Sequence, residues 1–214
     1  MRGMTILCVP LLALLGACSG LYYNTLEQFG IEKRDILVNR VEAARDAQED
    51  AKEQFATALE RFSALTDFDG GELEDFYDDL NRQFERSQAR AMAVTTRIDA
   101  VEEVSQDLFA EWEDELDLYS NAELRRASAD ALDRTRGRYS ELIAAMREAE
   151  SRMAPVIDAF EDQVLFLRHN LNSQAVVSLR SELADIELET AALIRAMEES
   201  IAQANQFISQ MGQT

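Results

Sequence analysis

The sequence predicts an all-α protein, an elongated antiparallel four-helix bundle or coiled coil with long helices. Three observations predict it. Ala, Glu, Leu, Asp, Arg and Gln dominate, and only 2 prolines and 8 glycines interrupt 214 residues, so few breaks are forced. Apolar residues recur at alternating steps of four and three through most of the chain, which is a 3.5-residue repeat. Short turn signals separate the segments that carry this repeat, and short connections make successive helices antiparallel.

The first element stands outside the fold. Met1-Arg2-Gly3-Met4-Thr5 leads into an apolar run from Ile6 to Ala17. That run is too short to span a bilayer, which takes roughly 20 residues, and it fits the apolar region of a secretory signal. It ends in Leu15-Gly16-Ala17-Cys18. An aliphatic residue, two small residues and a cysteine resemble a bacterial lipobox. In such lipoproteins the thiol is diacylated, the chain is cut before the cysteine, and the new amine usually takes a third acyl group. Two or three chains anchor stably where one is marginal. Ser19 follows the cysteine where the familiar inner-membrane retention signal has Asp, so the expected address is the outer membrane, facing the periplasm. Cys8 leaves with the signal, and Cys18 then has no partner for an internal disulfide. The expected domains are a signal peptide over 1–17, a lipidated N-terminus and linker over 18–30, and a helical bundle over 31–214.

Within 18–30, Thr25-Leu26-Glu27-Gln28 has capping-box form and Gly30 is read as the end of a brief helical turn. Leu21, Tyr22, Tyr23 and Phe29 either lie near the lipid surface or pack on the end of the body. The first helix, 32–66, carries the seam Leu37, Val41, Ala44, Gln48, Ala51, Phe55, Ala58, Phe62 and Leu65, with Gln48 its one polar member. Asp67-Phe68-Asp69-Gly70-Gly71 ends it. The second helix, 72–118, continues the repeat from Leu73 through Leu80, Ser87, Val94, Val101 and Leu108 to Trp112 and Tyr119. Ser120 and Glu123 have capping-box spacing for the third helix, 122–170. Pro155 lies inside that helix and predicts a kink, because its ring clashes with the preceding turn and one hydrogen bond is lost. Asn170-Leu171-Asn172-Ser173 is the last turn, and the fourth helix, 174–210, runs from Val176 to Phe207 and beyond. At 1.5 Å per residue the longest helix spans about 70 Å. Pairing about the first turn puts together residues of helices one and two whose numbers add to about 138, such as Ala51 with Ser87. For helices two and three the corresponding figure is about 240, as in Leu80 with Phe160 and Val101 with Tyr139.

Four stretches carry a family resemblance: Gly30-Ile31-Glu32-Lys33-Arg34-Asp35-Ile36-Leu37, Phe68-Asp69-Gly70-Gly71, Glu111-Trp112-Glu113-Asp114-Glu115, and Gln163-Val164-Leu165-Phe166-Leu167-Arg168-His169-Asn170-Leu171-Asn172. They resemble a family of bacterial lipoproteins known only as a domain of unknown function. The resemblance covers nearly all of the chain after the signal. It implies a helical, periplasm-facing protein of Gram-negative bacteria and brings no catalytic residues or ligand with it.

The formal charge is −20, from 21 basic and 41 acidic residues. Nucleic acid is therefore not an expected partner, since phosphate binding needs a basic surface. One histidine and two cysteines leave little for a zinc site or a Cys/His nucleophile pair. No cofactor and no metal site are expected. Between Ile98 and Leu124 stand ten acids and no base. They are read as a solvated or partner-facing surface, with Arg125 and Arg126 returning beside Glu113 to Asp117. A site for a hard cation is the alternative. Asp67 to Glu72 fails the calcium-loop pattern, which needs Gly at its sixth position. Glu113 and Glu115, two residues apart on one helix, do not face each other as an acid–base pair would. His169 complements the end of helix three or senses pH. Lys33-Arg34-Asp35 is a solvated first turn, or touches headgroups or peptidoglycan.

The expected function is non-enzymatic. A lipid-anchored, periplasm-facing helical lipoprotein would act as a structural or adaptor element, holding the bilayer through acylated Cys18 and a protein partner in the cell envelope through its helical faces. The alternative is a module that binds a small ligand or a divalent cation.

Overall fold

The computed structural model describes residues 18–64, 73–171 and 173–211, with side chains described for 33–64, 73–171 and 177–211. The helices are α1 (Cys18–Ala64), α2 (Leu73–Leu116), α3 (Ala122–Ser151), α4 (Met153–His169) and α5 (Ser173–Met211), and every element among the described residues is helical. α3 and α4 form one rod with a break, so the architecture is an antiparallel bundle of four rods. Each rod packs on its neighbours in sequence, and α5 closes the ring against α1.

The core is the predicted seam. Leu37, Val41, Ala44, Ala51, Phe55, Ala58 and Phe62 of α1 are buried, as are Leu80, Ala91, Val94, Ile98, Val101 and Leu108 of α2. The same holds for Leu142, Met146, Met153, Val156 and Phe160 of the third rod and for Leu179, Ile186, Leu193, Met197 and Ala204 of α5. The repeat works because steps of four and three keep one stripe of a helix turned toward its partners.

The first register is as expected. Gln54 Nε2 donates to Gln83 Oε1 at 3.0 Å, and Arg90 reaches Asp50 at 2.7 Å, pairs whose numbers add to about 137 to 140. α1 and α5 hold a constant register of their own: Arg45 donates to Asn205 at 3.2 Å, Ser200 to Gln48 at 2.9 Å, and Ser63 to Glu187 at 3.4 Å. The second expected register holds at both ends and slides in the middle. Trp112 Nε1 donates to Ser128 Oγ at 2.9 Å, and Leu80 and Phe160 line one cleft, in line with about 240. Tyr139, however, packs edge-on against Phe109 with ring centroids 5.4 Å apart, eight residues along α2 from Val101. Leu132 and Thr135 enter the core there, while Ala131 is only half-buried.

Four boundaries differ from the expectation. Gly30 does not end a turn, for α1 runs unbroken from Cys18 through the segment read as a linker. A helical glycine costs only about 1 kcal/mol, less than a 47-residue helix gains from its packing. The predicted kink falls at Arg152. Pro155 has no N–H for the Ser151 carbonyl, and the ladder is interrupted there, with Arg152 N–H reaching back three residues to Ala149 O at 3.3 Å. The cap of α3 is Asn121, not Ser120: its Oδ1 accepts from Glu123 N at 2.8 Å and from Leu124 N at 3.3 Å. Finally, α2 ends at Leu116 and the seam fades beyond Leu108, with Trp112 half-buried and Tyr119 and Leu124 exposed. Register explains the fading. Met211, the last residue of α5, is level with about residue 38 of α1, so the α2–α3 end has three rods around it instead of four.

Gly137 offers a direct test of the helix. It is exposed in the middle of α3, and a Cβ built on it meets nothing within 4 Å. Gly137→Ala is expected to stabilise the fold by about 0.5–1 kcal/mol, read as a raised urea midpoint with unchanged slope.

Candidate functional site

Most chemistry-bearing features of the sequence lie toward one end of the bundle, with His169 at the other. α1 begins at the first of these ends with Cys18, α2 and α3 turn there, and α5 ends there. Leu15, Gly16 and Ala17 lie outside the described residues, as does the Asp67 to Gly71 turn. The side chains of Cys18, Leu21, Tyr22, Tyr23 and Phe29 are likewise outside the description.

The first side chain placed at this end is Lys33. Its Nζ lies 2.9 Å from Glu111 Oε2 on α2, an ion pair without a well-aligned hydrogen bond. Lys33 is thus not a free first-turn charge: it ties α1 to α2. Burial pushes the Glu115 carboxyl above the ordinary 4.5, the charge of Glu111 adds to this, and Lys33 opposes it. Glu113 goes the other way. The hydrogen bond from Arg136 holds its carboxyl below the ordinary value, against a small opposing effect of burial. Glu113 and Glu115 therefore differ because one accepts a guanidinium hydrogen bond while the other is partly buried beside a second carboxylate.

The acidic run is neutralised more thoroughly than sequence spacing suggested. Arg125 returns to Asp117 at 2.8 Å, as expected from the tight turn. Glu113 is paired with Arg136, whose guanidinium also stacks 5.3 Å from the centre of the Phe109 ring. Arg147 was not singled out by sequence and holds the largest group. It donates to Asp99 at 2.7 Å and to Glu150 at 2.6 Å, and makes a short hydrogen bond to Glu102. These bonds raise the guanidinium pKa well above its ordinary value, the Glu102 bond most of all, and keep the charge fixed. Tyr139 sits beside this group. Burial pushes its phenol up, and the Ser105 hydroxyl pulls it part of the way back. The signal that would have found Arg147 is its spacing of three from Glu150 together with the sliding α2–α3 register. The first is visible in sequence and the second is not.

Trp112 was expected as a buried seam residue. It is half-buried and anchored by its hydrogen bond to Ser128, so Trp112→Ala should cost less than a core aromatic would. His169 is exposed in the last turn of α4 beside Arg168, where positive charge complements the helix end. The side chain that bonds the end carbonyls is its neighbour: Asn170 Nδ2 donates to Phe166 O at 2.9 Å.

Among the described residues, no group of three or more His, Cys, Asp or Glu side chains converges on a metal-sized site. A shallow cleft between α1, α2 and α4, lined by Ala58, Phe62, Leu80, Gln83, Phe84, Phe160 and Val164, has a free volume of only about 10 Å³, barely room for one water. Ligand pockets usually run from about 300 to 1,000 Å³. No described helix is long and apolar enough to cross a membrane.

No curated protein and no solved structure matches the chain. Residues 22–211, which take in the whole paired bundle, match the family described as "Protein of unknown function (DUF2959)". The chain belongs to that family.

Proposed function

We propose that this protein is a non-enzymatic, lipid-anchored helical lipoprotein of the Gram-negative cell envelope. It is held on the periplasmic face of the outer membrane through Cys18 and serves as a structural or adaptor element. The observation that carries the reading is Leu15-Gly16-Ala17-Cys18 after a short apolar run, with Cys18 also the first residue of α1. A chain anchored at that residue joins its acyl groups to a bundle about 70 Å long with no separate linker. Ser19 after the cysteine favours the outer membrane. The partner is a protein bound along the helical faces, whose charge is set by 41 acids. Long rods held by a continuous apolar seam suit spacing and docking, and no step of bond-making chemistry is assigned to them.

Cells fed a labelled palmitate are expected to transfer label to the protein, and Cys18→Ala is expected to abolish the transfer while the chain keeps its uncut signal. Label that is absent from the wild type, or that persists in Cys18→Ala, would end the anchoring proposal. Crosslinking of whole envelopes followed by purification is expected to bring down one reproducible envelope protein.

A further inference from the structure

We propose that the outer face of α3 is a docking surface for a second copy of this chain, laid antiparallel across Gly137. The inference goes beyond the anchoring of Cys18 and does not rest on it.

Three observations carry it. The first is the glycine. Gly137 stands at the middle of α3, Ala122–Ser151, where no turn requires it. After proline, glycine is the residue least favourable to a helix interior. It is exposed, and a Cβ built on it meets nothing within 4 Å. A single chain therefore gains nothing from the missing side chain. A helix crossing over it does, because a bare Cα lets a second backbone come close. The second observation is net charge. α3 holds six acids and six bases, in a protein that carries −20. It is the rod that a like copy approaches with least repulsion.

The third is the order of the charges. Arg126, Asp133, Arg134, Ser140, Glu141 and Glu148 share the face of Gly137, within about 60° of it around the helix, and all are exposed. With Gly137 laid antiparallel on Gly137, residues whose numbers add to about 274 lie at one level. Arg134 then meets Glu141, Arg126 meets Glu148 and Asp133 meets Ser140, and the two-fold axis makes each contact twice. Asp130 meets Ala144, while Asp133 and Glu141, though level, flank the crossing on opposite sides. Arg126, Arg134 and Glu141 have no ion pair within the chain among the described residues. Arg152 engages Oε1 of Glu148, which leaves Oε2 for the second copy. A parallel pair sets Arg134 on Arg134 and Glu141 on Glu141, so charge selects the antiparallel one. Such a pair has a Cys18 at each end. On one bilayer it lies flat, its two-fold axis along the membrane normal and both anchors in the same surface.

The test uses residues 18–214, which contain every described helix, with Cys18→Ser against stray disulfides and without acyl groups. Sedimentation equilibrium over a wide range of concentration reads the mass, and circular dichroism checks that each variant keeps its helix content. At about 0.15 M salt charges beyond about 8 Å are screened, so whole-chain repulsion fades while touching ion pairs survive, and the expected mass rises to that of a pair. At about 1 M salt it falls back to one chain, since screening then sets in at about 3 Å. Gly137→Leu is expected to melt no lower than the wild type and yet to sediment as one chain. Arg134→Glu is expected to do the same, and adding Glu141→Arg to restore the pair. Asp130→Cys with Ala144→Cys is expected to bridge two copies on oxidation.

A wild type that has the mass of one chain at every concentration overturns the proposal. A pair that survives Gly137→Leu or Arg134→Glu belongs to another face and overturns it too. Bridging by Ala144→Cys alone shows a parallel pair, with the same consequence. No acyl group is present, so these outcomes are separate from the palmitate test of Cys18.

Discussion

Phe55→Ala is expected to lower the unfolding free energy by about 3–5 kcal/mol, enough to threaten a typical single domain. Phe55 is 0% exposed and, among the described residues, is the largest fully buried side chain. It sits mid-way along the buried part of α1, and the α1–α2 register brings Phe84 across from it. Truncation removes the transfer free energy of the ring and leaves a void. Long rods relax poorly around such a void, because each is held along its length by seam contacts on both sides of the gap. Urea unfolding followed by circular dichroism at 222 nm checks the figure. A loss below about 1 kcal/mol would show that the core closes over the void. Phe166→Ala, on an exposed ring of α4, should change the midpoint far less.

The second large effect has the opposite sign. Gln48→Leu combined with Ser200→Ala is expected to stabilise the protein by about 1–2 kcal/mol. Gln48 is fully buried, and its Oε1 accepts one hydrogen bond from Ser200 Oγ. Its Nε2 has no partner. A buried donor left unpaired costs about 1–3 kcal/mol, more than one neutral hydrogen bond returns. Leucine keeps nearly the same volume, and alanine removes the hydroxyl that would otherwise be stranded. The single change Gln48→Ala should destabilise, since it opens a void and leaves Ser200 without its acceptor. A double variant that melts below the wild type would mean that Nε2 holds a buried water and that the amide is fully satisfied. A polar pair in an apolar seam also fixes which residues of α1 and α5 lie opposite each other.

Much of this architecture was legible in sequence because helix packing is periodic. Leu37, Val41, Val94 and Val101 announce their burial by spacing alone, and Gln48 stands out as the one polar member of the first seam for the same reason. Pro155 announces its kink because the lost N–H and the clash belong to the residue itself. What was not legible depends on where other rods stop. Trp112, Tyr119 and Leu124 continue the repeat faithfully, yet α5 ends before their level and leaves them wholly or partly in water. Arg147 was missed because its partners Asp99 and Glu102 lie on α2, at a register shifted from the even pairing assumed about Ser120. Asn121 displaced Ser120 as the cap of α3 for a local reason: both can accept from helix N–H groups, and a one-residue difference in where the chain turns decides between them.

The continuity of α1 has a mechanical consequence. A tug on its first residue runs along the helix axis, parallel to its contacts with α2 and α5, and so loads them in shear. Gln54 to Gln83, Asp50 to Arg90, Arg45 to Asn205 and Ser63 to Glu187 would all have to slide together. A pull at right angles to the rods would instead load such contacts in turn and peel one rod from the next. Drawn along its axis from its first residue the protein should behave as a stiff tether, and drawn sideways as a zipper that opens at low force.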